Sequence, residues 1–228
     1  MAGMPSGRIL VSQAPKSRET TRAAYDRMSR WYDLLAGPSE WGCVEAGLRE
    51  LAVGEGEAVL EVGFGTGRAL AALARSAGVS GRAYGVDLST RMCRAAWARA
   101  GAAGLSARVQ VVRGDVVYLP FPSGCLDAVF MSFALELFAE PEIPVVLAEC
   151  KRVLREDGRL GVVAMSREEP AGLPVRLYER LHRALPKWVD CRPISPPRVL
   201  ADAGFAVLRT MPMAVWGLPV VVVVASRQ

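Results

Sequence analysis

From residue 57 onward, short continuous runs of apolar residues alternate with amphipathic stretches. The runs are "EAVLEV", "GRAYGVD", "ARVQVVRGD", "LDAVFMS" and "GRLGVVAM". Helical periodicity follows three of them and predicts helices from Thr66, Ser89 and Pro141. Strands that are apolar on both faces are typical of a parallel sheet with helices on each side. The alternation therefore predicts an α/β fold.

The C-terminal part departs from this alternation. "FAVLRTMPMAVW" and "LPVVVVVAS" follow each other across a short Gly-Leu connection, with no helix between them. Strands joined so tightly must pair antiparallel. Upstream, "TTRAAYDRMSRWYDLLAG" and "SEWGCVEAGLRELAVG" predict two helices before the first strand. We therefore expect a doubly wound, mostly parallel seven-stranded sheet with an antiparallel last strand.

Length and composition indicate one globular domain. The chain has 228 residues, of which 51% are hydrophobic and 22% charged. We expect residues 1–20 to form a mobile arm, because they lack the apolar core of a signal peptide, and residues 21–228 to form the domain. A connection at about 167–194 is longer than most in compact α/β units. It is either a solvated amphipathic helix on the core or a lid over the carboxyl edge of the sheet.

The charge pattern does not indicate a nucleic-acid partner. The formal net charge of +5 is mild, and the arginines are spread along predicted helices. Such a surface suits an anionic substrate or peripheral contact with an anionic membrane face equally. The apolar run near the C-terminus is too short for a membrane span. Five cysteines without a CxxC pair indicate reduced structural thiols and a cytoplasmic protein, and we expect no metal.

The stretch "VLEVGFGTGRAL" leads from the first predicted strand into a helix. Gly63, Gly65 and Gly67 lie at every second position, after Glu61. In doubly wound sheets, ligands bind outside the carboxyl ends of the strands, where this loop lies. A dinucleotide site prefers G-x-G-x-x-G, whereas this spacing is G-x-G-x-G. The stretch thus predicts a ligand site, although a glycine loop alone does not identify the ligand.

Acidic residues follow the next two strands. Asp87 ends the second strand, where a carboxylate can accept hydrogen bonds from both ribose hydroxyls of a nucleoside. Alternatively, it helps to cap the helix that begins near Ser89. Asp115 follows the third strand and can accept a hydrogen bond from an exocyclic amine, with the Val116 amide beside it. Its alternative role is that of a turn residue after Gly114.

These segments together resemble the class I S-adenosylmethionine-dependent methyltransferases. Within that class, the chain is most similar to the ubiquinone/menaquinone-biosynthesis C-methyltransferase branch. The matching stretches are "VLEVGFGTG", "YGVDLST", "RGDVVYLPF", "LDAVFMSFALELF", "ECKRVLREDGRLGVV" and the upstream "AYDRMSRWYD". The resemblance covers roughly residues 22–166 and is more specific for the class than for the branch.

The resemblance implies S-adenosylmethionine as cofactor, S-adenosylhomocysteine as product, and a role for each matching residue. The glycine loop would approach the methionine part, Glu61 would organise its amino group, and Asp87 would bind the ribose. Leu88 would pack on the adenine, and Asp115 and Val116 would bind the adenine edge. Ser132 and Phe133 would line the floor beside the reactive methyl group. Tyr32 would close over the cofactor, unless it only packs on the core.

Candidates for acid–base chemistry are few. A sulfonium methyl group is already activated, so a general base is needed only if the acceptor must lose a proton. Glu136 lies just after the fourth strand, where it faces the substrate or caps the next helix. His182 is the only histidine and lies on the lid-like segment, as a surface residue, a base or a substrate contact.

We expect the acceptor to be a small, rather apolar molecule such as a quinol, a phenol or a lipid-like compound. One alternative is a methyltransferase acting on protein or RNA. The Asn/Asp-Pro-Pro-aromatic motif common in such enzymes is replaced here by "SFAL". A second alternative is a non-catalytic cofactor-binding or partner protein, which the intact acidic positions disfavour. The third is an NAD-linked dehydrogenase, which the glycine spacing disfavours.

Overall fold

The computed structural model describes residues 10–11, 37–167 and 193–228. It contains an eight-stranded sheet, and the seven predicted strands are all present in it. The strands are β1 (Leu10–Val11), β2 (Ala58–Val62), β3 (Arg82–Asp87), β4 (Val109–Arg113), β5 (Leu126–Ser132), β6 (Leu154–Met165), β7 (Phe205–Val215) and β8 (Leu218–Arg227).

The sheet is mostly parallel, as predicted, and its strand order is β1-β4-β3-β2-β5-β6-β8-β7. β8 pairs antiparallel with both β6 and β7. The eighth strand is the two-residue β1, which pairs parallel with β4 at one edge. It comes from the segment predicted as an N-terminal arm. The fold is therefore the expected doubly wound one, extended by a short edge strand.

Helices of the described residues connect these strands. They are α1 (Gly37–Leu51), α2 (Arg68–Ser76), α3 (Thr90–Ala102), α4 (Ile143–Val153) and α5 (Pro196–Asp202), with 3-10 helices at Val116–Tyr118 and Leu135–Leu137. The helix predicted from Thr66 begins two residues later, because Gly67 takes the left-handed conformation at its N-cap. The first predicted helix, which contains Tyr32, and the segment with His182 lie outside the described residues.

Apolar side chains form one core on each face of the sheet. The first core includes Cys43 of α1, Leu70 of α2 and Ala96 of α3. The second includes Leu147 of α4 and Leu200 of α5. The valines of β8 are buried, which confirms that the C-terminal apolar run is a strand inside the fold. These are the three layers that the alternation of strands and helices predicts.

The cysteines that the structure describes are free thiols. Cys43, Cys93 and Cys150 are buried, and Cys125 is partly exposed. Burial is the main cause that raises the pKa of the Cys93 thiol, to about 12, so this thiol stays neutral. Cys191 lies outside the described residues. The described thiols therefore act as small apolar core groups.

The sheet changes its winding direction at β2, which lies between β3 and β5. At such a switch point the loops after neighbouring strands separate and leave a crevice at the carboxyl edge. The glycine loop follows β2 at this point. Across residues 10–11, 37–167 and 193–228, none of the helices is both long and apolar enough to span a membrane.

Candidate cofactor and acceptor site

The glycine loop is held against its neighbours by two of its three glycines. Gly63 has φ +68°, and its N–H donates to the Val86 carbonyl at 2.9 Å. A Cβ at this position would lie 2.8 Å from Cβ of Ala134. Gly67 has φ +77°, and a Cβ there would lie 2.6 Å from Cβ of Ala96 on α3. Both positions require glycine because the protein itself approaches so closely.

Gly65 is different from the other two. Its φ is +51°, and a Cβ at this position would meet no atom of residues 10–11, 37–167 or 193–228 within 4 Å. This middle glycine therefore faces open space at the switch point of the sheet. Of the three predicted ligand-approaching glycines, it is the one that the protein's own packing leaves unexplained. A third packing glycine, Gly85, was not predicted; a Cβ there would lie 2.6 Å from Cδ1 of the Phe64 ring.

Glu61 lies at the end of β2, directly below this loop. It is buried, and none of the described residues donates a hydrogen bond to its Oε2 atom. Burial raises the pKa of its carboxyl well above the usual range, the negative charge of Asp87 raises it further, and a hydrogen bond with the Leu70 backbone opposes both. A buried oxygen with no partner is costly and uncommon in folded proteins. It is the donor-seeking group expected beside a bound ammonium group.

Asp87 lies at the end of β3 and is buried. Its Oδ1 accepts from the Ser89 N–H at 2.8 Å, while the Ser89 hydroxyl accepts from the Met92 N–H at the start of α3. The predicted capping alternative is thus partly true: Ser89 caps α3 and Asp87 orients that cap. Leu88, between them, is half-buried. Its predicted packing on an adenine stays a prediction.

Asp115 follows β4 and begins the 3-10 helix at Val116–Tyr118. Its Oδ1 accepts from the Val117 N–H at 3.2 Å, as the turn-residue alternative expects. The N–H of Gly114 donates to the Asp87 carbonyl at 3.1 Å and ties the ends of β3 and β4 together. Asp115 and Val116 are both buried at this edge. The structure thus brings the loops after β2, β3 and β4 together as predicted.

The floor residues lie at the end of β5. Ser132 is half-buried, and Phe133 is buried with φ +50°, a conformation that bulky residues rarely adopt. The Phe133 N–H donates to the Val163 carbonyl at 2.7 Å, which fixes the strained residue against β6. Backbone strain of this kind is concentrated at functional sites. Its presence at a predicted site residue supports the prediction.

Glu136 lies three residues further, in the 3-10 helix at Leu135–Leu137, and is buried. Its Oε1 accepts from the Met165 N–H at the end of β6, at 3.1 Å. The N-cap residue of the next helix, α4, is Glu142. The alternative in which Glu136 caps α4 is therefore wrong. The carboxyl group lies between the carboxyl ends of β5 and β6.

Two supporting contacts were missed by the sequence reasoning. The Arg68 guanidinium at the start of α2 stacks on the Trp41 ring of α1, 3.6 Å from its centroid. On α4, Glu149 accepts from the Leu119 N–H at 2.8 Å, and Arg152 donates to the Leu119 carbonyl at 3.0 Å. These bonds hold the segment that follows the Val116–Tyr118 helix. The signal available in the sequence was the Glu-x-x-Arg spacing in "ECKR".

Within the part of the chain that the structure describes, no group of three or more His, Cys, Asp or Glu side chains is arranged to hold a metal ion. The acidic groups at the site instead lie at the carboxyl ends of β2 and β3 and just after β4. A buried carboxyl oxygen with no partner among the described residues, two further carboxyl groups and a glycine beside open space suit a cationic, hydroxyl-bearing nucleoside. These acceptor groups therefore fit S-adenosylmethionine.

The strand order and this arrangement of strand ends are those of a Rossmann-like methyltransferase fold. Residues 59–158 match the family model described as "Methyltransferase domain". The matched residues include every described residue of the predicted cofactor site.

Individual proteins support the same class. A demethylmenaquinone methyltransferase of Lactobacillus johnsonii is 31% identical over 64% of this chain and 59% of its own length. A nocamycin O-methyltransferase of Saccharothrix syringae is 32% identical over 67% of this chain and 60% of its own length. This chain therefore matches only about three fifths of these two relatives.

Solved structures also match this fold. A SAM-dependent methyltransferase from Aquifex aeolicus has a TM-score of 0.63 and 27% identity, over 81% of this chain and 89% of that one.

Proposed function

We propose that this protein transfers a methyl group from S-adenosylmethionine to a small, apolar, hydroxyl-bearing acceptor such as a quinol or a phenol. The observation that carries the proposal is the unpartnered, buried Oε2 of Glu61 beside the open face of Gly65. A ligand with no N–H or O–H group at this place would leave the oxygen without a donor. The ammonium group of the methionine part supplies one.

The other strand ends divide the cofactor between them. Asp87 binds the ribose hydroxyls and Leu88 packs on the adenine, while Asp115 and the Val116 N–H bind the adenine edge. The loop at Gly63, Gly65 and Gly67 lies along the methionine part. The cofactor supplies a sulfonium methyl group that is already activated. The protein contributes by holding the two reactants close together in the correct orientation and by excluding water.

The acceptor is placed beyond β5, next to Ser132 and Phe133. The two named relatives, for demethylmenaquinone and nocamycin, favour a small molecule over protein or RNA. The connection at 167–194 acts as the lid in this proposal. Its two described ends, Ser166 and Ile194, are bridged at the same edge of the sheet as Phe133. The free thiols of the described cysteines fit a cytoplasmic reaction.

The first test is calorimetric titration of the purified protein with S-adenosylmethionine and S-adenosylhomocysteine, with NAD as control ligand. We expect micromolar binding of both sulfur nucleosides, no NAD binding, and loss of binding in Asp87→Ala. Methyl transfer is then measured with a set of quinols and phenols, including 1-naphthol, as acceptors. Absence of binding to either nucleoside would overturn the proposal. Methylation of protein or RNA alone would overturn the choice of acceptor.

A further inference from the structure

Glu136 carries a buried oxygen that the fold does not use. The residue is 2% exposed, and its Oε1 accepts from the Met165 N–H. Its Oε2 has no hydrogen-bond partner in the part of the chain that the structure describes. Together with Glu61, it is one of the two residues of the described chain with such an atom. The packing needs only one acceptor oxygen at this position, which a glutamine would also provide.

The position of Glu136 separates it from the cofactor residues. Asp87 and Asp115 follow strands on one side of β2, whereas Glu136 lies on the other side, between the ends of β5 and β6. Phe133, with its strained backbone, stands three residues before it. In the proposed function, the reactive methyl group of the cofactor lies beside Ser132 and Phe133, at the end of β5. Glu136 is therefore on the side where an acceptor would lie.

The Met165 bond also fixes the direction of the side chain. Because Oε1 accepts a hydrogen bond from the β6 backbone, Oε2 is held in one orientation. None of the described residues donates a hydrogen bond to Oε2. Two neighbouring elements act on the Glu136 carboxyl group. The negative charge of Glu40 on α1 acts on it, and the Met165 N–H of β6 donates a hydrogen bond to it. Burial is the main cause that raises the pKa of Glu136, to about 7, and Glu40 contributes less. A carboxyl group in this range can take up a proton at neutral pH.

We propose that Glu136 is the general base that takes the hydroxyl proton of the acceptor. This inference rests on the proposed function. As the acceptor attacks, its O–H bond breaks and the proton passes to Oε2. The new bond forms to the methyl carbon, and the C–S bond breaks with its electron pair on sulfur. The products are the methylated acceptor, S-adenosylhomocysteine and a protonated Glu136, which returns its proton to water. If a ring carbon is methylated instead, that carbon loses its proton to restore the aromatic ring and the oxygen takes a proton back, so that one proton is again released overall.

The test compares Glu136→Gln with wild type and with Glu140→Gln, an exposed acidic residue of the same connection. Glutamine retains an oxygen for the Met165 N–H but cannot take up a proton. With 1-naphthol as acceptor, we expect kcat of Glu136→Gln to fall by about 100-fold or more, and its rise with pH near neutrality to disappear. Glu140→Gln should retain the wild-type rate and pH profile. Calorimetric affinity for S-adenosylhomocysteine should be the same in all three proteins.

A second acceptor separates a base from a merely structural residue. The hydroxyl of 4-nitro-1-naphthol is largely ionised at neutral pH, so its methylation needs no base. We expect Glu136→Gln to methylate it at close to the wild-type rate. An equal loss with both acceptors, an unchanged pH profile, or weakened S-adenosylhomocysteine binding would each overturn the inference. Failure of the proposed function is distinguishable, because wild type itself would then methylate neither naphthol.

Discussion

At the scale of single residues, the three glycines of one loop have two different causes. Gly63 and Gly67 are crowded by Ala134 and Ala96, whereas Gly65 faces open space. The spacing in "GFGTG" indicates a tight loop near a ligand but does not separate these causes. The separation depends on alanines far away in the chain, whose approach only the folded structure reveals.

We predict that alanine at Gly67 mainly lowers stability, whereas alanine at Gly65 mainly lowers cofactor affinity. Gly67→Ala combines a left-handed backbone with a Cβ 2.6 Å from Cβ of Ala96, so unfolding free energy should fall by about 2–4 kcal/mol. Gly65→Ala meets no neighbour and should cost only about 1–2 kcal/mol. Its S-adenosylhomocysteine affinity should nevertheless fall at least about tenfold, or about 1.4 kcal/mol. Urea denaturation and calorimetry measure the two effects; unchanged affinity in Gly65→Ala would contradict a ligand on that face.

The acidic site residues were predictable because each follows an apolar strand. Their hydrogen bonds were not. The sequence left two roles open for Asp87, ribose binding and helix capping. In the structure its Oδ1 accepts a hydrogen bond from the Ser89 N–H, and its side chain lies at the carboxyl edge of the sheet. Glu136 was expected to face substrate or cap a helix; its bond to Met165 depends on β6, 29 residues later. Contacts between distant segments are what periodicity cannot supply.

At the scale of elements, the hairpin between β7 and β8 contains an unfavourable turn. Trp216 and Gly217 form its two-residue loop, with φ +51° and +77°. Val215 pairs with Leu218 across it. Two positive φ values define a type I′ turn, which favours Asn-Gly. A bulky residue in the first position is strained, and Trp216 is 69% exposed, so packing offsets little of this strain.

We predict that Trp216→Asn stabilises the protein. Asparagine tolerates the left-handed conformation, so the unfolding free energy should rise by about 0.5–1.5 kcal/mol. The matched control is Leu208→Asn, because Leu208 is also exposed and apolar but lies in β7 and is not in a left-handed conformation. It should give no gain. The midpoint of urea denaturation measures both, and a lower midpoint for Trp216→Asn would mean that its indole makes contacts worth more than the strain.

Elements with a clear period were predicted well, and irregular ones were not. The seven longer strands and the antiparallel hairpin follow from apolar runs and connection lengths. β1 has only two residues, too few to show any period. β6 begins at Leu154, earlier than predicted, because a register shift against β5 lets the chain stay extended through the charged "REDG". Such irregularities depend on the neighbouring strand rather than on local sequence.

At the scale of the whole molecule, a chain of net charge +5 concentrates buried acidic groups at one edge of its sheet. Glu61, Asp87, Asp115 and Glu136 are all buried there. The proximity of Asp87 further raises the pKa of Glu61. Without a cation, such a cluster destabilises the fold when it ionises. The arrangement is understandable if the ligand is positively charged, as a sulfonium nucleoside is.

This arrangement predicts how stability changes with pH. Folding raises the pKa of Glu136 from 4.5 to about 7. Between these values the folded state holds more protons than the unfolded state, so rising pH favours unfolding. The contribution is present below about pH 4.5 and is lost as pH rises through about 7. A shift of this size corresponds to about 3 kcal/mol.

Other carboxyl groups titrate too, so the difference between two proteins isolates this one. Glu149, whose pKa is lowered chiefly by its hydrogen bond from Arg152, loses its contribution as pH falls, but it does so in both proteins. We therefore expect Glu136→Gln to gain about 3 kcal/mol over wild type between about pH 4 and pH 8, measured by urea denaturation without cofactor. Glu140→Gln, which changes an exposed carboxyl group, should follow wild type throughout. A constant difference between Glu136→Gln and wild type across this range would mean that the Glu136 carboxyl ionises as freely in the folded protein as in the unfolded chain. The carboxyl group would then be in contact with water. Its burial, on which both the loss of stability and its action as a base at neutral pH depend, would be contradicted.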